Sequence, residues 1–237
     1  MSRPGGLQRL AALLVAVAAS VLLFGGGGLL LAGIADYQVQ VFLDDWQQAA
    51  SAGRPAPGER AWQVAHAAAE RAVEVYPAID GTRLERLGVV YSWQHYRQPY
   101  AAVRAEASRR AALAAYRAAV LARPTWPYAW AHLARTKLSL LEIDAEFAHA
   151  LRQASVFGPW RPAINRELAE IGVMAWPGLG RDLRRLTLQA LQRAAALGPA
   201  EAGRLIGIAR DSGSWGQLCP ALGQPFRVAN GLGACPP

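Results

Sequence analysis

The N-terminal part of the chain contains one long stretch of apolar and small residues. No charged residue occurs in residues 10–35, a run of 26 positions. At about 1.5 Å of rise per residue, a helix of this length exceeds the ~30 Å hydrocarbon core of a bilayer. The pattern therefore predicts a transmembrane helix over residues 10–35.

A cleaved signal peptide is the alternative interpretation of the same stretch. Small residues stand one and three positions before Asp36, the spacing that a signal peptidase uses. The apolar core of a signal peptide is normally only about 7–15 residues long, so a retained anchor is favoured. Arg3 and Arg9 precede the span and acidic residues follow it. This predicts residues 1–9 in the cytoplasm, a single pass of the inner membrane, and a C-terminal domain that is periplasmic or otherwise extracytoplasmic.

A run of four glycines, Gly25 to Gly28, interrupts the apolar stretch. In water each glycine would weaken a helix by up to ~1 kcal/mol relative to alanine. In lipid the helix is retained, because unpaired backbone groups cost more there. The run provides either a flat face for packing against another helix or a point of flexibility, and both interpretations stay open.

Beyond the span, four segments share a pattern that ends in proline. An alanine stands five residues before each proline, and an alanine, tyrosine or leucine stands three residues before that. Positions three apart lie on the same face of a helix, so each segment is predicted to be a packed helix that stops at its proline. The four prolines are Pro77, Pro124, Pro159 and Pro199.

The periodicity predicts an all-α domain over residues 59–211. A stalk and linker over residues 36–58 would connect it to the transmembrane helix, and glycine and proline recur without periodicity in residues 212–237, which predicts an irregular tail. Short turns make neighbouring helices antiparallel. The helices are predicted at 60–76, 82–96, 100–122, 127–141, 144–157, 162–175, 181–197 and 200–211.

The charge of the chain narrows the choice of partners. The formal charge of +8 becomes +6 (8 − 2) when the two N-terminal arginines are set aside, and Lys137 is the only lysine. A basic domain outside the cytoplasm can meet anionic lipid head groups or acidic polysaccharide, although coding bias also explains an excess of arginine and alanine. Nucleic acid is not expected, because the basic residues are dispersed along helices without a recognition motif.

Cys219 and Cys235 are the only cysteines, and both lie near the C-terminus. Neither belongs to a Cys-x-x-Cys motif or to a metal-ligand pattern. In an oxidising compartment they would form a disulfide that restrains the tail by about 3 kcal/mol.

The segments that follow the prolines resemble the first helix of the tetratricopeptide repeat. The motifs are Leu84-x-x-Leu87-Gly88-x-x-Tyr91 and Trp130-x-x-Leu133-Ala134. This resemblance implies a stack of antiparallel helix pairs with a concave groove, and it places Tyr128 and Arg135 on the groove face as candidate contacts. The prolines are 47, 35 and 40 residues apart rather than at the regular repeat of about 34 residues, so the copies are degenerate.

A narrower resemblance covers residues 111–237. The motifs that carry it are Trp126-Pro-Tyr128-x-Trp130, Gly158-Pro-Trp160, Trp176, Leu218-Cys219-Pro220 and Cys235-Pro236. They are similar to the VpsP-type exopolysaccharide biosynthesis proteins, to which the first hundred residues add only the membrane anchor. The resemblance implies a part in the assembly or export of a secreted polysaccharide, without a defined catalytic activity.

The aromatic residues of this region have two interpretations. We expect a structural role for the set, with Trp130 packed inward and with Trp126 and Trp160 joining adjacent helix pairs at the turns. Trp176 lies near the end of a helix. Stacking of these rings on sugars is the alternative.

No combination of residues indicates catalysis. The four histidines lack ligand spacing, and the carboxylates at 142–146 suit the capping of a helix N-terminus. We therefore expect no enzyme, no metal and no cofactor. The leading hypothesis is a membrane-anchored, non-catalytic adaptor or scaffold of exopolysaccharide biosynthesis that acts through protein–protein interaction, and the alternative is direct binding of carbohydrate in the same pathway.

Overall fold

The computed structural model describes residues 6–236, apart from the side chains of Leu7, Arg9 and Phe24. Within that part of the chain all regular secondary structure is helical, which confirms the predicted all-α class. Residues 1–5 of the predicted cytoplasmic N-terminus lie outside the described residues. The helices are α1 (Gly6–Ser51), α2 (Glu59–Glu74), α3 (Gly81–Gln94), α4 (Val103–Ala122), α5 (Pro127–Ser139), α6 (Ala145–Phe157), α7 (Pro162–Met174), α8 (Arg181–Ala195), α9 (Pro199–Asp211), α10 (Trp215–Ala221) and α11 (Gln224–Ala229), with a short 3-10 helix (Trp176–Gly178) between α7 and α8.

The first helix is long enough and apolar enough to cross a membrane. Its N-terminal part exposes large apolar side chains, among them Leu13, Val17 and Leu22, and the most apolar window of the helix buries none of its surface against the rest of the chain. The helix does not end where the apolar stretch ends, because it continues without interruption to Ser51.

One face of α1 is buried at intervals of three and four residues, the spacing of a helix that packs along its length. Ala32, Ala35, Val39 and Trp46 are each at most 3% exposed. They face α2, whose contacts with α1 are among the most extensive between any two described helices. Residues 36–51 therefore belong to the packed domain, in contrast to the predicted stalk, and only the segment 52–58 is a connection.

Close approach of α2 explains one of the four glycines. A β-carbon at Gly28 would lie 2.9 Å from the carbonyl oxygen of Val75, just beyond the C-terminal end of α2. At Gly25, Gly26 and Gly27 a β-carbon would meet no described atom within 4 Å. Among the four glycines, packing within the described residues therefore requires glycine at position 28 alone.

Helices α3 to α8 pack as consecutive pairs, α3 with α4, α5 with α6 and α7 with α8. At the start of α3, Gly81 meets Arg123 at the end of α4, and further along α3 Gly88 meets the ring of Tyr116. In the next pair the rings of Trp130 and His149 lie 5.2 Å apart. The predicted helix ends at 122 and 157 are confirmed, and so are the starts at 127 and 162, where proline occupies the first helical position.

The C-terminal tail is partly helical, so the prediction of an irregular tail over residues 212–237 is wrong for residues 215–229. Leu218, Cys219 and Leu222 are at most 2% exposed, and burial of these side chains against the preceding helices favours a helical turn despite the proline inside α10. The predicted disulfide is confirmed, with the Cα atoms of Cys219 and Cys235 5.6 Å apart.

The closeness of α3 to α4 generates a test of the packing. A β-carbon at Gly88 would lie 2.5 Å from the ring of Tyr116, which is only 2% exposed and cannot move aside. We expect Gly88→Ala to lower the free energy of unfolding by about 1–3 kcal/mol, measured by chemical denaturation.

Gly203→Ala is the matched control, because Gly203 is an exposed position inside α9 with no described atom near its would-be β-carbon. It should raise the stability by up to ~1 kcal/mol through helix propensity. Equal effects of the two substitutions would contradict the close packing of α3 on α4.

Candidate functional site

Charged side chains form a chain across four helices, in which ion pairs join α3 to α5, α5 to α7 and α7 to α9. We call this chain the ion ladder. Its members are Glu85 of α3, His132 and Arg135 of α5, Glu167 and Glu170 of α7, and Arg204 of α9. The ladder lies on the face of α5 that also carries Tyr128, because positions 128, 132 and 135 fall four and three residues apart.

The central member of the ladder is Arg135. Its Nε donates to Oε1 of Glu167 at 2.6 Å, and its Nη1 donates to Oε1 of Glu170 at 2.9 Å. Burial alone would lower the pKa of Arg135, but the charges of Glu167 and Glu170 outweigh burial and raise it. The guanidinium is therefore permanently charged, and its orientation is set by both carboxylates.

His132, the histidine of the ladder, lies in the field of two carboxylates, those of Glu85 and Glu167. His132 Nδ1 lies 3.2 Å from Oε1 of Glu85, at ion-pairing distance rather than in a well-aligned hydrogen bond. The other oxygen of Glu85 accepts a hydrogen bond of 2.6 Å from Nε1 of Trp126. Burial would lower the pKa of His132, but Glu85 and Glu167 together raise it above its usual value.

Next to the ladder is a cleft of about 690 Å³, bounded on one side by the last turn of α1. The volume falls within the range of small-molecule and peptide sites, about 300–1,000 Å³. Trp93, Tyr96 and Tyr100 contribute aromatic surface to the cleft, and Arg135 and Glu167 of the ladder also line it. Tyr96 is 47% exposed and stands at the mouth, so a bound molecule can reach its ring.

The cleft also contains a second arginine, Arg109. The Arg109 side chain donates to the carbonyl oxygens of Ser139 at 3.0 Å and Gln98 at 2.7 Å. None of the described residues places a carboxylate at ion-pairing distance from it. Burial lowers the pKa of Arg109. The cleft therefore combines flat aromatic surface with a positive charge, a combination that suits hydrogen-bond acceptors and carboxylates.

The two predicted groove contacts lie on the same face of α5 but have different environments. Arg135 lines the cleft, with its donors already engaged by Glu167 and Glu170. Tyr128 lies two turns away from it and outside the cleft, with its ring 5.1 Å from that of Trp126. Whether either residue contacts a ligand stays a prediction.

The four tryptophans of the expected structural set also differ from one another. Trp176 is 1% exposed and belongs to the core, and Trp130 is half-buried, with its indole donating to the carbonyl oxygen of Pro124 at 2.7 Å. Half-buried Trp126 is held by Glu85. Trp160, however, is 85% exposed, so the expectation that it joins adjacent helix pairs is wrong. The turn that carries it points its ring outward.

A separate cluster of charges joins α5 to α6. The Lys137 ammonium lies 2.8 Å from Asp144, 2.8 Å from Glu146 and 3.2 Å from Glu142, and its side chain is 2% exposed. The hydrogen bond from Arg117, together with that from Lys137, lowers the pKa of Glu146 to about 2. Asp144 also caps α6 by accepting from the backbone N–H of Phe147, as the predicted capping role requires.

Sequence reasoning missed the residues that shape the cleft. Trp93, Tyr96 and Tyr100 come from the end of α3 and the turn after it, a segment with no repeat signature. Trp93, Tyr96 and Tyr100 are three aromatic residues within a span of eight residues that includes a predicted turn. This concentration is unusual and could have drawn attention to the segment. The proximity of α1 could not have been deduced, because the predicted stalk had no packing partner.

Comparisons with known proteins do not assign the chain to a family. No protein-family model matches it, and no curated protein has a matching sequence. The geometry of the cleft and the resemblances in the sequence are therefore the grounds on which a function can be proposed.

The environment of His132 generates a prediction about its titration. In the folded protein we expect the midpoint for His132, followed through its ring resonances by NMR, to lie above the usual value of about 6.5. Because the folded pKa is raised, the protonated ring contributes stability below the unfolded pKa, and this contribution is lost as the pH rises through the folded pKa. Glu85→Gln should move the midpoint downward.

Asp182→Asn serves as the control, because Asp182 forms only an exposed pair with Arg185, outside the ladder. It should leave the His132 midpoint in place. A midpoint that does not respond to Glu85→Gln would contradict the coupling of these two residues.

Proposed function

We propose that the protein is a membrane-anchored, non-catalytic adaptor whose helix pairs form a degenerate stack of the tetratricopeptide type. The antiparallel pairing of α3 with α4 and of α5 with α6 supports this proposal, and so does the alignment of α5, α7 and α9 along one face. In such a stack that face is concave and holds a segment of a partner protein.

The proposed location is the inner membrane, with the N-terminus in the cytoplasm and the helical domain in the periplasm. Support comes from the long apolar helix and from the charges that flank it, with Arg3 and Arg9 before the span and acidic residues after it. The disulfide between Cys219 and Cys235 suits an oxidising compartment.

The cleft beside the ion ladder is the observation that carries the adaptor proposal. Its volume and its exposed Tyr96 provide an anchor pocket. The positive charge of Arg109, with which no carboxylate of the described residues pairs, favours a protein segment that bears a carboxylate. The ladder keeps the wall of this pocket rigid, because Arg135 is bound on two sides. A preformed pocket lowers the entropy lost on binding.

The proposed pathway is the assembly or export of an exopolysaccharide, and it rests on the resemblance of residues 111–237 to the VpsP-type proteins. The proposed partners are proteins of the same assembly machine. Direct binding of carbohydrate is the second candidate, and the rings of Trp93 and Tyr96 favour it, since they lie 4.4 Å apart beside the mouth of the cleft and resemble a platform for sugar rings.

A substitution at the mouth of the cleft tests the adaptor proposal. Tyr96→Ala should reduce the recovery of polysaccharide-assembly proteins co-purified from membranes by about tenfold, because loss of a buried aromatic anchor weakens binding by at least ~1–2 kcal/mol. The recovered proteins would be identified and quantified by mass spectrometry. Tyr37→Ala is the matched control, since Tyr37 is a 69% exposed tyrosine of α1 that does not line the cleft.

Unchanged recovery with Tyr96→Ala would rule out the cleft as the docking site. Affinity electrophoresis of the purified protein in the native polymer separates the second candidate from the first. Retardation that Tyr96→Ala abolishes would favour carbohydrate binding, whereas migration unaffected by the polymer would remove that candidate.

A further inference from the structure

The four turns that contain the prolines lie at the same end of the helical domain. Gly81 meets Arg123 across the first two turns, Gly158 meets Pro127 across the second and third, and the Arg193 guanidinium lies 5.7 Å from the ring of Trp160. We call this end the proline-turn surface. It comprises residues 75–80, 123–126 and 158–161, together with Leu121 and Arg193, which adjoin them.

This surface adjoins the N-terminal part of α1, from Leu10 to Gly27, which we call the bare part of α1 because its most apolar window is not buried against the rest of the described chain. The carbonyl of Val75 is level with Gly28, and at positions 25–27 a β-carbon would meet no described atom within 4 Å. From Leu10 to this level, α1 rises about 27 Å, close to the ~30 Å of a hydrocarbon core. If α1 spans the membrane, the boundary of the bilayer falls next to the first proline turn.

The proline-turn surface exposes three large apolar side chains. Ile79 is 85% exposed, Leu121 is 83% exposed and Trp160 is 85% exposed. Side chains of this kind are favoured at the boundary between lipid and water, where tryptophan in particular is enriched. If the proline-turn surface faced water instead of lipid, all three of these apolar side chains would stay in contact with water.

Arginines surround these apolar residues. Arg123 lies 4.0 Å and Arg161 5.3 Å from the ring of Trp126, and Arg193 lies beside Trp160. None of the described residues places a carboxylate at ion-pairing distance from these three guanidinium groups. An anionic lipid surface attracts each such charge with a free energy of about 1 kcal/mol.

Acidic residues at this end do not cancel that charge. Asp80 caps α3 and pairs with Arg83 at 2.8 Å, and Glu201 pairs with Arg204 at 2.8 Å. Glu74 is exposed near the first turn and balances only one of the three arginines. The surface therefore presents a net positive charge together with its apolar side chains.

The opposite end of the domain has a different character. Val103 there is also 85% exposed, but Glu106 stands three residues later, and the carboxylates at 142–146 and at 44–45 lie at that end. Apolar exposure is therefore common to both ends. Arginine without a described carboxylate at ion-pairing distance also occurs at that end, as at Arg104, but there it lies among the carboxylates just named. The position at the base of the bare part of α1 distinguishes the proline-turn surface.

We propose that the proline-turn surface lies on the anionic head-group layer of the membrane that α1 spans. Ile79, Leu121 and Trp160 enter the interface, and Arg123 and Arg161 bind lipid phosphates. The domain is then held against the bilayer at two places, and the mouth of the cleft at the far end of α1 points away from it. This inference rests on the anchor role proposed above and is independent of what the cleft binds.

Spin labels on the full-length chain in vesicles test this arrangement without any partner protein. Both native cysteines are in the disulfide, so single cysteines can be labelled at Ala78 and Thr125 in the surface, at Val103 as the control, and at Leu22 within the span. The vesicles contain phosphatidylcholine with or without phosphatidylglycerol. Accessibility to oxygen and to a water-soluble nickel complex gives the depth of each label.

We expect the Ala78→Cys and Thr125→Cys labels to report the head-group region and the Val103→Cys label to report bulk water. Phosphatidylglycerol should increase the fraction of bilayer-bound label. Arg123→Ser and Arg161→Ser should each lower the ratio of bound to released domain about fivefold in these vesicles, whereas Arg104→Ser at the opposite end should not.

Labels at Ala78 and Thr125 that are as accessible to nickel as the label at Val103 would overturn the proposal, and the surface would then be open to a protein. A label at Leu22 in water would overturn the anchor and this inference together. Unchanged partner recovery with Tyr96→Ala, the result that would overturn the adaptor proposal, has no bearing on these depths, so failure of that proposal is distinguishable from failure of this one.

Discussion

The packing of α1 against α2 is the contact on which the rest of the arrangement depends. Gly28, Ala32 and Ala35 let the backbone of α1 approach α2 closely, and near the other end the buried ring of Trp46 lies 5.9 Å from that of Trp93 in α3. Van der Waals contact along this seam ties an apolar helix to a water-exposed domain without a flexible connection. The position and tilt of the domain are therefore set by those of α1.

The same contact creates the cleft. The last turn of α1 closes one side of a space that α3, α5 and α7 leave open, and the ion ladder holds these helices in register. Arg135 is engaged by two carboxylates and Glu85 by Trp126 and His132, so the charged side chains stiffen the wall. Tyr96 is left to interact with a ligand, and the buried Arg109, whose Nη atoms donate to two backbone carbonyl oxygens, adds a positive charge to the cleft.

Local signals predicted much of this architecture. Prolines at the first helical position and at helix ends fixed several boundaries, and two cysteines in a short tail indicated their disulfide. Contacts between distant segments were beyond such signals. The residues of α1 that pack on α2 begin within the apolar stretch, and contact with lipid would by itself explain why that stretch is apolar. The helix α10 forms because its side chains are buried against α9, which is a contact with another segment.

Site residues were predictable only in part, for the same reason. Periodicity placed Tyr128 and Arg135 on one face of α5, but the carboxylates that engage Arg135 come from α7, more than thirty positions away. The exposure of Trp160 depends on how its turn is oriented, which its neighbours in the sequence do not determine. The aromatic residues after α3 could have been recognised, whereas their position beside α1 could not.

Hydrogen–deuterium exchange of the full-length chain in lipid nanodiscs tests the central claim that α1 is both the anchor and the first helix of the domain. Backbone amides of residues 36–50 should be protected to the same degree as those of α2, and both sets should open together when denaturant is added. Fast exchange of residues 36–50 while α2 stays protected would mean that this segment is a free stalk, and it would contradict the account.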